Sequence, residues 1–217
     1  DSWEPNGPAV QSLENKDLDL LINLSASPYH QGKLLNDRID VLAQTAKKLN
    51  TTLLYCNIVG GQDELVFDGD SLVVGADGKL LARASQFTDE VLVVDLSVAE
   101  RPAVTPAGNV ERIVISSEPL EPYEPLPPAI AERLIDAEEL YAAIVSGLSD
   151  YVNKNGFETV LIGLSGGIDS ALTATMAVDA LGADRVFGVS MPSKYSSDHS
   201  KSDAQDLAER LGIFYLS

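Results

Sequence analysis

The stretch that decides the fold is GLSGGIDS, at positions 163–170. It follows an apolar segment, residues 159–162, and precedes an Ala- and Leu-rich segment that begins at Ala171. This order predicts a strand, a tight turn at Gly166-Gly167 and the N-terminus of a helix. Such a junction binds anions, because the first N–H groups of a helix lack intrahelical partners and the helix dipole adds positive charge.

The residues of this turn suit a pyrophosphate group. The two glycines allow a close backbone approach that a Cβ atom would block, and Ser165 and Ser170 supply hydroxyl donors to phosphate oxygens. The sequence is not a Walker A loop, because the Lys-Ser/Thr pair that ends that motif is missing. An acid, Asp169, stands in the loop instead. An acid beside phosphates favours a Mg²⁺ ion between them, so Asp169 is the predicted metal ligand.

The composition is that of an ordinary globular protein, with 45% hydrophobic and 22% charged residues, but the net charge is −18. This acidity disfavours nucleic acid as a partner, since it repels phosphates. The single cysteine excludes an internal disulfide and a cysteine-rich zinc site. No apolar run approaches the ~18 residues that span a bilayer. We therefore expect no membrane partner and a cytoplasmic location.

One segment divides the chain. Residues 116–128 read SSEPLEPYEPLPP, and a stretch so rich in proline and glutamate resists helix formation and favours an extended linker. The alternative is a long surface loop within one domain. With the linker, the predicted domains are residues 1–115 and residues 129–217.

Hydrophobic periodicity predicts the elements on either side. Before the linker we expect a helix at 34–49 and strands at 19–24, 51–59, 64–67, 71–74, 80–84 and 91–96. After it we expect helices at 129–153, 171–181 and 201–211 and strands at 159–164, 185–191 and 213–216. The first part is an α/β piece that ends in antiparallel strands. The second, β-α-β-α-β, is the order of a doubly wound parallel sheet.

Several of these strings resemble known families. SGGIDS, at 165–170, resembles the pyrophosphatase loop of the N-type ATP pyrophosphatases, and residues 188–213 resemble the NAD synthetases among them. NLSASPYHQGK, at 23–33, and NIVGGQDELVFDG, at 57–69, resemble the nitrilase-type glutaminase domain of glutamine-dependent NAD synthetases. The resemblance implies the C-terminal part of a nitrilase-like α/β sandwich, followed by the start of a doubly wound parallel-sheet ATP pyrophosphatase domain.

The resemblance also implies a reaction. ATP-dependent amidation would convert deamido-NAD to NAD through an acyl-adenylate, with ammonia from glutamine and with ATP and Mg²⁺ as cofactors. The partners would be deamido-NAD, ATP and glutamine, and further copies of the chain in a homo-oligomer. The implied ATP-binding residues are Gly163, Leu164, Ser165, Gly166, Gly167, Ile168, Asp169, Ser170 and Met191, and the implied glutamine-binding residues are Ser27 and Lys33. Two alternatives stay open: another adenylating amidotransferase, and a nucleotide-binding module without catalysis.

The resemblance implies that the catalytic triad of the glutaminase lies outside these 217 residues. Asp1-Ser2-Trp3 resembles the last three positions of the family's Cys-Glu-Asp-x-Trp motif. We therefore expect the nucleophilic cysteine, and the catalytic Glu and Lys, upstream of residue 1 in a longer protein. Cys56 lies in an apolar segment with no adjacent Lys, Arg or helix N-terminus to activate its thiol, so it is expected to be a buried core residue.

Simpler interpretations exist for four features. Taken alone, Met191 fits a core methionine, Ser27 a turn before proline, and Lys33 a solvated helix start. The string GGQD, at positions 60–63, fits a turn between strands and a role in a site equally well.

Overall fold

The computed structural model describes residues 3–32, 37–97, 113–116, 121, 123–191 and 198–217. The helices are α1 (Pro8–Leu13), α2 (Asp37–Leu49), α3 (Asp136–Lys154), α4 (Ile168–Leu181) and α5 (Asp198–Leu211). The strands are β1 (Leu20–Ser25), β2 (Thr52–Asn57), β3 (Val59–Gln62), β4 (Leu65–Asp68), β5 (Leu72–Val74), β6 (Leu80–Arg83), β7 (Val160–Gly163), β8 (Val186–Val189) and β9 (Phe214–Leu216). Among the described residues, no helix is long and apolar enough to cross a membrane.

The elements fall into two compact units. The first combines Asp1–Ala26, His30–Asn57 and Gly69–Arg133. The second combines Ser27–Tyr29, Ile58–Asp68 and Leu134–Ser217. The second unit therefore combines two short segments from early in the chain with the C-terminal part, from Leu134 onward.

The first unit is built on a four-stranded sheet in the order β1-β2-β5-β6. β1 and β2 are parallel, and helix α2 connects them as the crossover that a parallel pair requires. β5 is antiparallel to both β2 and β6. Side chains from α2 and the sheet form one apolar core, which contains Leu42, Ala43, Ala46, Leu53, Tyr55, Leu72 and Val74. Alternation along β2 and the helical spacing in α2 account for this core.

The second unit contains a parallel sheet in the order β7-β8-β9 and a separate antiparallel hairpin of β3 and β4. Helices α4 and α5 are the crossovers of the parallel sheet. Its core is made mostly of small side chains, namely Leu164, Ala174, Ala177, Val186, Ala204, Ala208 and Ile213. The predicted α/β class is confirmed, and so is the parallel sheet predicted in the C-terminal part of the chain. Because all three strands are parallel, their carboxyl ends share one edge of the sheet, and the 163–170 loop follows the first of them.

Two predicted elements are wrong over part or all of their length. Residues 91–96 form no strand despite their apolar sequence, since no described strand pairs with them; Val91 is 90% exposed. Residues 129–135 are not helical, because the carbonyl of Ala129 and the N–H of Ala131 bond to the backbone of Arg83 at 3.0 and 3.1 Å. At positions 60–63, where the sequence fits a turn and a role in a site equally well, the first three residues belong to β3 and Asp63 lies in the turn that follows.

Candidate functional site

The loop between β7 and α4 carries the residues predicted to bind ATP. Leu164 anchors its start: the side chain is 2% exposed, and its N–H donates to the carbonyl of Val189 at 2.8 Å. Gly166 has a φ of +78°, a conformation that favours glycine. Gly167 is the N-cap of α4, and no side chain caps this helix end. The first N–H groups of the helix therefore lie beside the loop without a capping partner.

Two serine hydroxyls determine the shape of the loop. The Ser170 hydroxyl accepts the N–H of Ser165 at 3.2 Å and donates to the carbonyl of Gly167 at 3.0 Å. The Ser165 hydroxyl lies 3.1 Å from that of Ser170 and accepts the N–H of Gly167 at 3.2 Å. A hydroxyl has one proton to donate. Ser170 can therefore donate to a phosphate oxygen only by releasing Gly167, so these serines shape the loop as well as offering donors.

Asp169 lies exposed in the first turn of α4, where the positive end of the helix stabilises an acid. Among the described residues, no group of three His, Cys, Asp or Glu side chains could hold a metal ion by itself. Asp169 would thus hold a metal ion only together with ligands from outside such a cluster. That donor set fits Mg²⁺, which binds through one or two carboxylates together with substrate phosphates and waters.

Met191 follows β8 and lies beside the loop. Its side chain is 78% exposed, and a Cβ atom placed on Gly163 would be 3.6 Å from its methyl carbon. The structure thus brings Met191 next to the first loop residue, and its exposure argues against a core methionine. Ile168, at the start of α4, is 79% exposed as well. The contacts of both residues with a nucleotide stay a prediction.

On the glutamine side, Ser27 is half-buried in the segment after β1. Lys33 lies outside the described residues. At the end of β1, the Ser25 hydroxyl accepts a hydrogen bond from the Tyr55 hydroxyl at 2.9 Å, and Tyr55 accepts one from the Trp3 indole N–H at 3.2 Å. The roles of Ser27 and Lys33 in binding glutamine stay predictions.

Cys56 is exposed, so the expectation of a buried core thiol is wrong. Successive side chains of a strand point to opposite faces. Leu53 and Tyr55 are buried in the core with α2. Cys56 lies on the other face of β2, at a cavity of about 480 Å³ that residues 90–94 also line. An apolar run shows that a strand is buried on one face, but it does not show which residues point there.

The sequence did not predict two sets of polar contacts on α3. The Tyr29 hydroxyl donates to Oε2 of Glu139 at 3.4 Å. Burial, followed by the charge of Glu139, raises the pKa of Tyr29 to about 12. Near the other end of α3, Asp150 and Lys154 hold the backbone of Gly61. We call the two side chains, Asp150 and Lys154, the α3 clamp.

The geometry of the α3 clamp is tight. The N–H of Gly61 donates to Oδ2 of Asp150 at 2.6 Å, and the carbonyl of Gly61 accepts from Nζ of Lys154 at 2.6 Å. The two side chains form an ion pair at 2.9 Å. Burial alone would raise the pKa of Asp150, but the Gly61 N–H and Lys154 outweigh it and lower that pKa below the usual value. The Gly-Gly pair at 60–61 was the sequence signal for this contact.

Two family models match the chain. The model described as carbon-nitrogen hydrolase matches residues 2–104, and the model described as NAD synthase matches residues 140–217. The predicted linker, residues 116–128, lies between the two matches, while the domain boundaries at 115 and 129 stay a prediction. The second compact unit combines residues from both matched ranges.

Curated relatives match almost the whole chain. A glutamine-dependent NAD(+) synthetase of Thermotoga maritima is 42% identical over 98% of this chain and 38% of its own length. One of Aquifex aeolicus is 43% identical over 98% of this chain and 39% of its own length. The chain thus spans about two fifths of the length of these relatives.

Two solved structures that are similar to this chain carry the same description as the curated relatives. Glutamine-dependent NAD+ synthetase from Acinetobacter baumannii, in complex with ADP, is 34% identical, with a TM-score of 0.73 over 95% of this chain and 35% of that one. A glutamine-dependent NAD(+) synthetase from Cytophaga hutchinsonii is 20% identical with a TM-score of 0.67, which supports the fold alone.

Proposed function

Because this chain belongs to the glutamine-dependent NAD(+) synthetases, we propose that it serves the ATP-dependent conversion of deamido-NAD to NAD, with glutamine as the source of ammonia. The observation that carries this proposal is the junction of β7, the 163–170 loop and α4. There the turn at Gly166-Gly167, whose second glycine is exposed, leads into a helix N-terminus without a side-chain cap, which is suited to a pyrophosphate leaving group.

In the proposed reaction, the loop binds the β- and γ-phosphates of ATP and leaves the α-phosphorus facing the acceptor. An oxygen of the nicotinate carboxylate forms a bond to the α-phosphorus. The bond between the α-phosphorus and the pyrophosphate oxygen breaks at the same time. Ammonia then attacks the carbonyl carbon of the acyl-adenylate, AMP departs with the bonding electrons, and the nitrogen loses a proton. The N–H groups at the start of α4 stabilise charge on the departing pyrophosphate.

Asp169 would hold Mg²⁺ beside these phosphates. When bound, Mg²⁺ supplies positive charge to the leaving group. The hydroxyls of Ser165 and Ser170 keep the loop in the conformation that presents Asp169 at its rim, since both bond within the loop. Met191, beside Gly163, would contact the adenine.

Ammonia would come from hydrolysis of glutamine in the nitrilase-like part. We propose that Ser27 and Lys33 bind the α-amino and carboxylate groups of glutamine. Cys56 is proposed to take no part in this hydrolysis. A cytoplasmic location and a homo-oligomeric state also belong to this proposal.

The test uses the product of the native gene, so that any sequence flanking these 217 residues is included. The purified protein is given ATP, Mg²⁺ and deamido-NAD, with either ammonium or glutamine, and NAD and pyrophosphate are both measured. We expect NAD from either nitrogen source, with one pyrophosphate released for each NAD. Glutamate should appear only with glutamine.

The same assay separates the alternatives. Another adenylating amidotransferase would release pyrophosphate with a different carboxylate or nucleotide acceptor and not with deamido-NAD. A nucleotide-binding module without catalysis would bind ATP in calorimetry and release no pyrophosphate with any acceptor. Either result would contradict the proposed function.

A further inference from the structure

The hairpin of β3 and β4 is held on both of its edges by polar contacts. Gly61 lies opposite Val66 in the antiparallel register. The backbone of Gly61 bonds outward to the α3 clamp, and the carbonyl of Val66 accepts the N–H of Tyr29 at 2.7 Å. Unpaired groups on the edge of a ribbon require such partners. The hairpin is thus fixed between residues 27–29 on one edge and α3 on the other.

The glycines at 60 and 61 make the close approach to α3 possible. A Cβ atom on Gly60, whose φ is +116°, would collide with Oδ2 of Asp150. A Cβ atom on Gly61 would lie 3.2 Å from the Cα of Gly147, and one on Gly147 would lie 2.9 Å from Cγ2 of Val66. Small residues therefore face each other from the hairpin and the helix. The string at 60–63 is explained by docking onto α3 better than by a turn.

A third contact joins the same elements. Tyr29, two residues after Ser27, donates its hydroxyl to Glu139 in the first turn of α3. Glu139 is 8% exposed, so this bond lies largely away from solvent. Residues 27–29 therefore reach α3 directly through Tyr29 and indirectly through the hairpin.

Helix α3 also contacts the helix that carries the phosphate loop. The hydroxyl of Tyr141 donates to Oδ2 of Asp179 in α4 at 2.6 Å. Within this unit, α3 is thus in contact with residues 27–29, with the hairpin and with α4. Among the described residues, the side-chain hydrogen bonds within the 163–170 loop join Ser165, Gly167 and Ser170 and involve neither Asp150 nor Lys154.

From these contacts we propose that Asp150 and Lys154 are positioning residues for glutamine-dependent synthesis: they fix the hairpin, and with it residues 27–29, on α3. This inference rests on the proposed function. The α3 clamp holds the hairpin and residues 27–29 and does not bond to the phosphate loop. Its loss should therefore disturb the use of glutamine and spare the use of free ammonia. An interaction that merely stabilised the fold would weaken both.

The experiment compares Asp150→Asn and Lys154→Met in the product of the native gene. For each variant, NAD formation is measured over a range of glutamine concentrations and, separately, of ammonium concentrations. We expect kcat/KM for glutamine to fall about 10-fold, the scale for a hydrogen bond to a charged group. The rate with ammonium should stay within about 2-fold of the native rate. Lys154→Arg, which keeps a charged donor, should restore most of the glutamine-dependent rate.

A matched control is available in the same unit. Asp206 and Arg210 on α5 form an i,i+4 ion pair at 2.8 Å, the same spacing as Asp150 and Lys154. Asp206→Asn should leave the ratio of glutamine- to ammonium-dependent rates unchanged. Lys154→Met is the milder substitution, since the Lys154 side chain is 52% exposed, and it decides the matter if Asp150→Asn does not fold.

Two results would overturn the inference. One is a parallel loss with both nitrogen sources, and the other is an unchanged glutamine-dependent rate in the folded variants. Failure of the proposed function looks different, since the native protein itself would then form no NAD from ATP, deamido-NAD and ammonium.

Discussion

The two Gly-Gly pairs of this chain have the same composition and opposite surroundings. Gly60-Gly61 is pressed against α3, where a Cβ atom on either residue would meet Asp150. Gly166-Gly167 lies in an exposed loop, and the nearest atom to a Cβ on Gly167 is the Ser165 hydroxyl of the same loop, at 3.3 Å. A glycine pair thus indicates a close approach of the backbone. What approaches, a helix of the protein or a ligand, depends on the element that stands opposite.

The largest expected effect tests the loop pair as a ligand site. In the complete enzyme, Asp169→Asn should lower the rate of pyrophosphate release by about 10²-fold or more, the scale for losing one electrostatic stabiliser of the transition state. The fold should be unaffected, because Asp169 is exposed. Fixed-time assays of pyrophosphate measure the rate, and circular dichroism checks that the variant is folded. A near-native rate in this variant would show that Asp169 does not hold the metal ion.

The second-largest expected effect tests whether Gly60-Gly61 packs closely against α3. Gly60→Ala places a methyl group against Asp150 in a backbone conformation that alanine disfavours. The free energy of unfolding, measured in urea, should therefore fall by about 2 kcal/mol. Gly156→Ala is the matched control: its φ is +75°, and nothing lies within 4 Å of the added Cβ. It should lose about 1 kcal/mol from backbone strain alone. Equal losses in the two variants would mean that α3 does not press on Gly60.

A smaller effect distinguishes shaping the loop from supporting the fold. Ser170→Ala removes three hydrogen-bonding contacts that all lie within the loop. The KM for ATP should rise about 10-fold, because the loop must then be ordered by the nucleotide itself. Unfolding in urea should change by less than about 1 kcal/mol, since the site is near the surface. A large loss of stability with an unchanged KM would make Ser170 a structural residue.

Much of this architecture could be predicted from the sequence. Periodicity placed the crossover helix between β1 and β2 and the β7-loop-α4 junction, because both are determined by contacts between neighbouring elements. The failures share one cause. Residues 91–96 and 129–135 have local patterns of a strand and a helix, yet their conformation depends on which distant backbone groups pair with them. Local pattern does not contain that information.

The candidate site also has parts that could be predicted from the sequence and parts that could not. The loop residues were predictable because one continuous segment carries them. The α3 clamp was not, since 89 positions separate Gly61 from Asp150 and the only local sign of it was a pair of glycines. The exposure of Cys56 was also missed, because the covering of one face of β2 depends on elements elsewhere in the chain.

The smallest expected effect is a dependence on pH that the α3 clamp has and the loop hydroxyls lack. The pKa of Asp150 is lowered in the folded protein, where Gly61 and Lys154 favour the carboxylate. A group with a lowered folded pKa stabilises the fold above its unfolded pKa, about 3.9 for aspartate. That contribution is lost as the pH falls through the folded value. The stability that the native protein holds over Asp150→Asn should therefore be constant from pH 7 to about 5 and should shrink below about 4.

Urea unfolding of the two proteins across this range measures the difference directly, and the many other carboxylates cancel because both proteins carry them. Asp206→Asn serves as the control, because the Asp206 side chain is 59% exposed and its ion-pair partner, Arg210, lies on the same helix. Water and salt screen such a surface pair, so Asp206→Asn should show little stability difference at any pH. If the difference for Asp150→Asn were equally small at pH 7, the carboxylate would not hold Gly61. The close approach of the glycines would then rest on packing alone, and the contrast between the two Gly-Gly pairs would lose its electrostatic part.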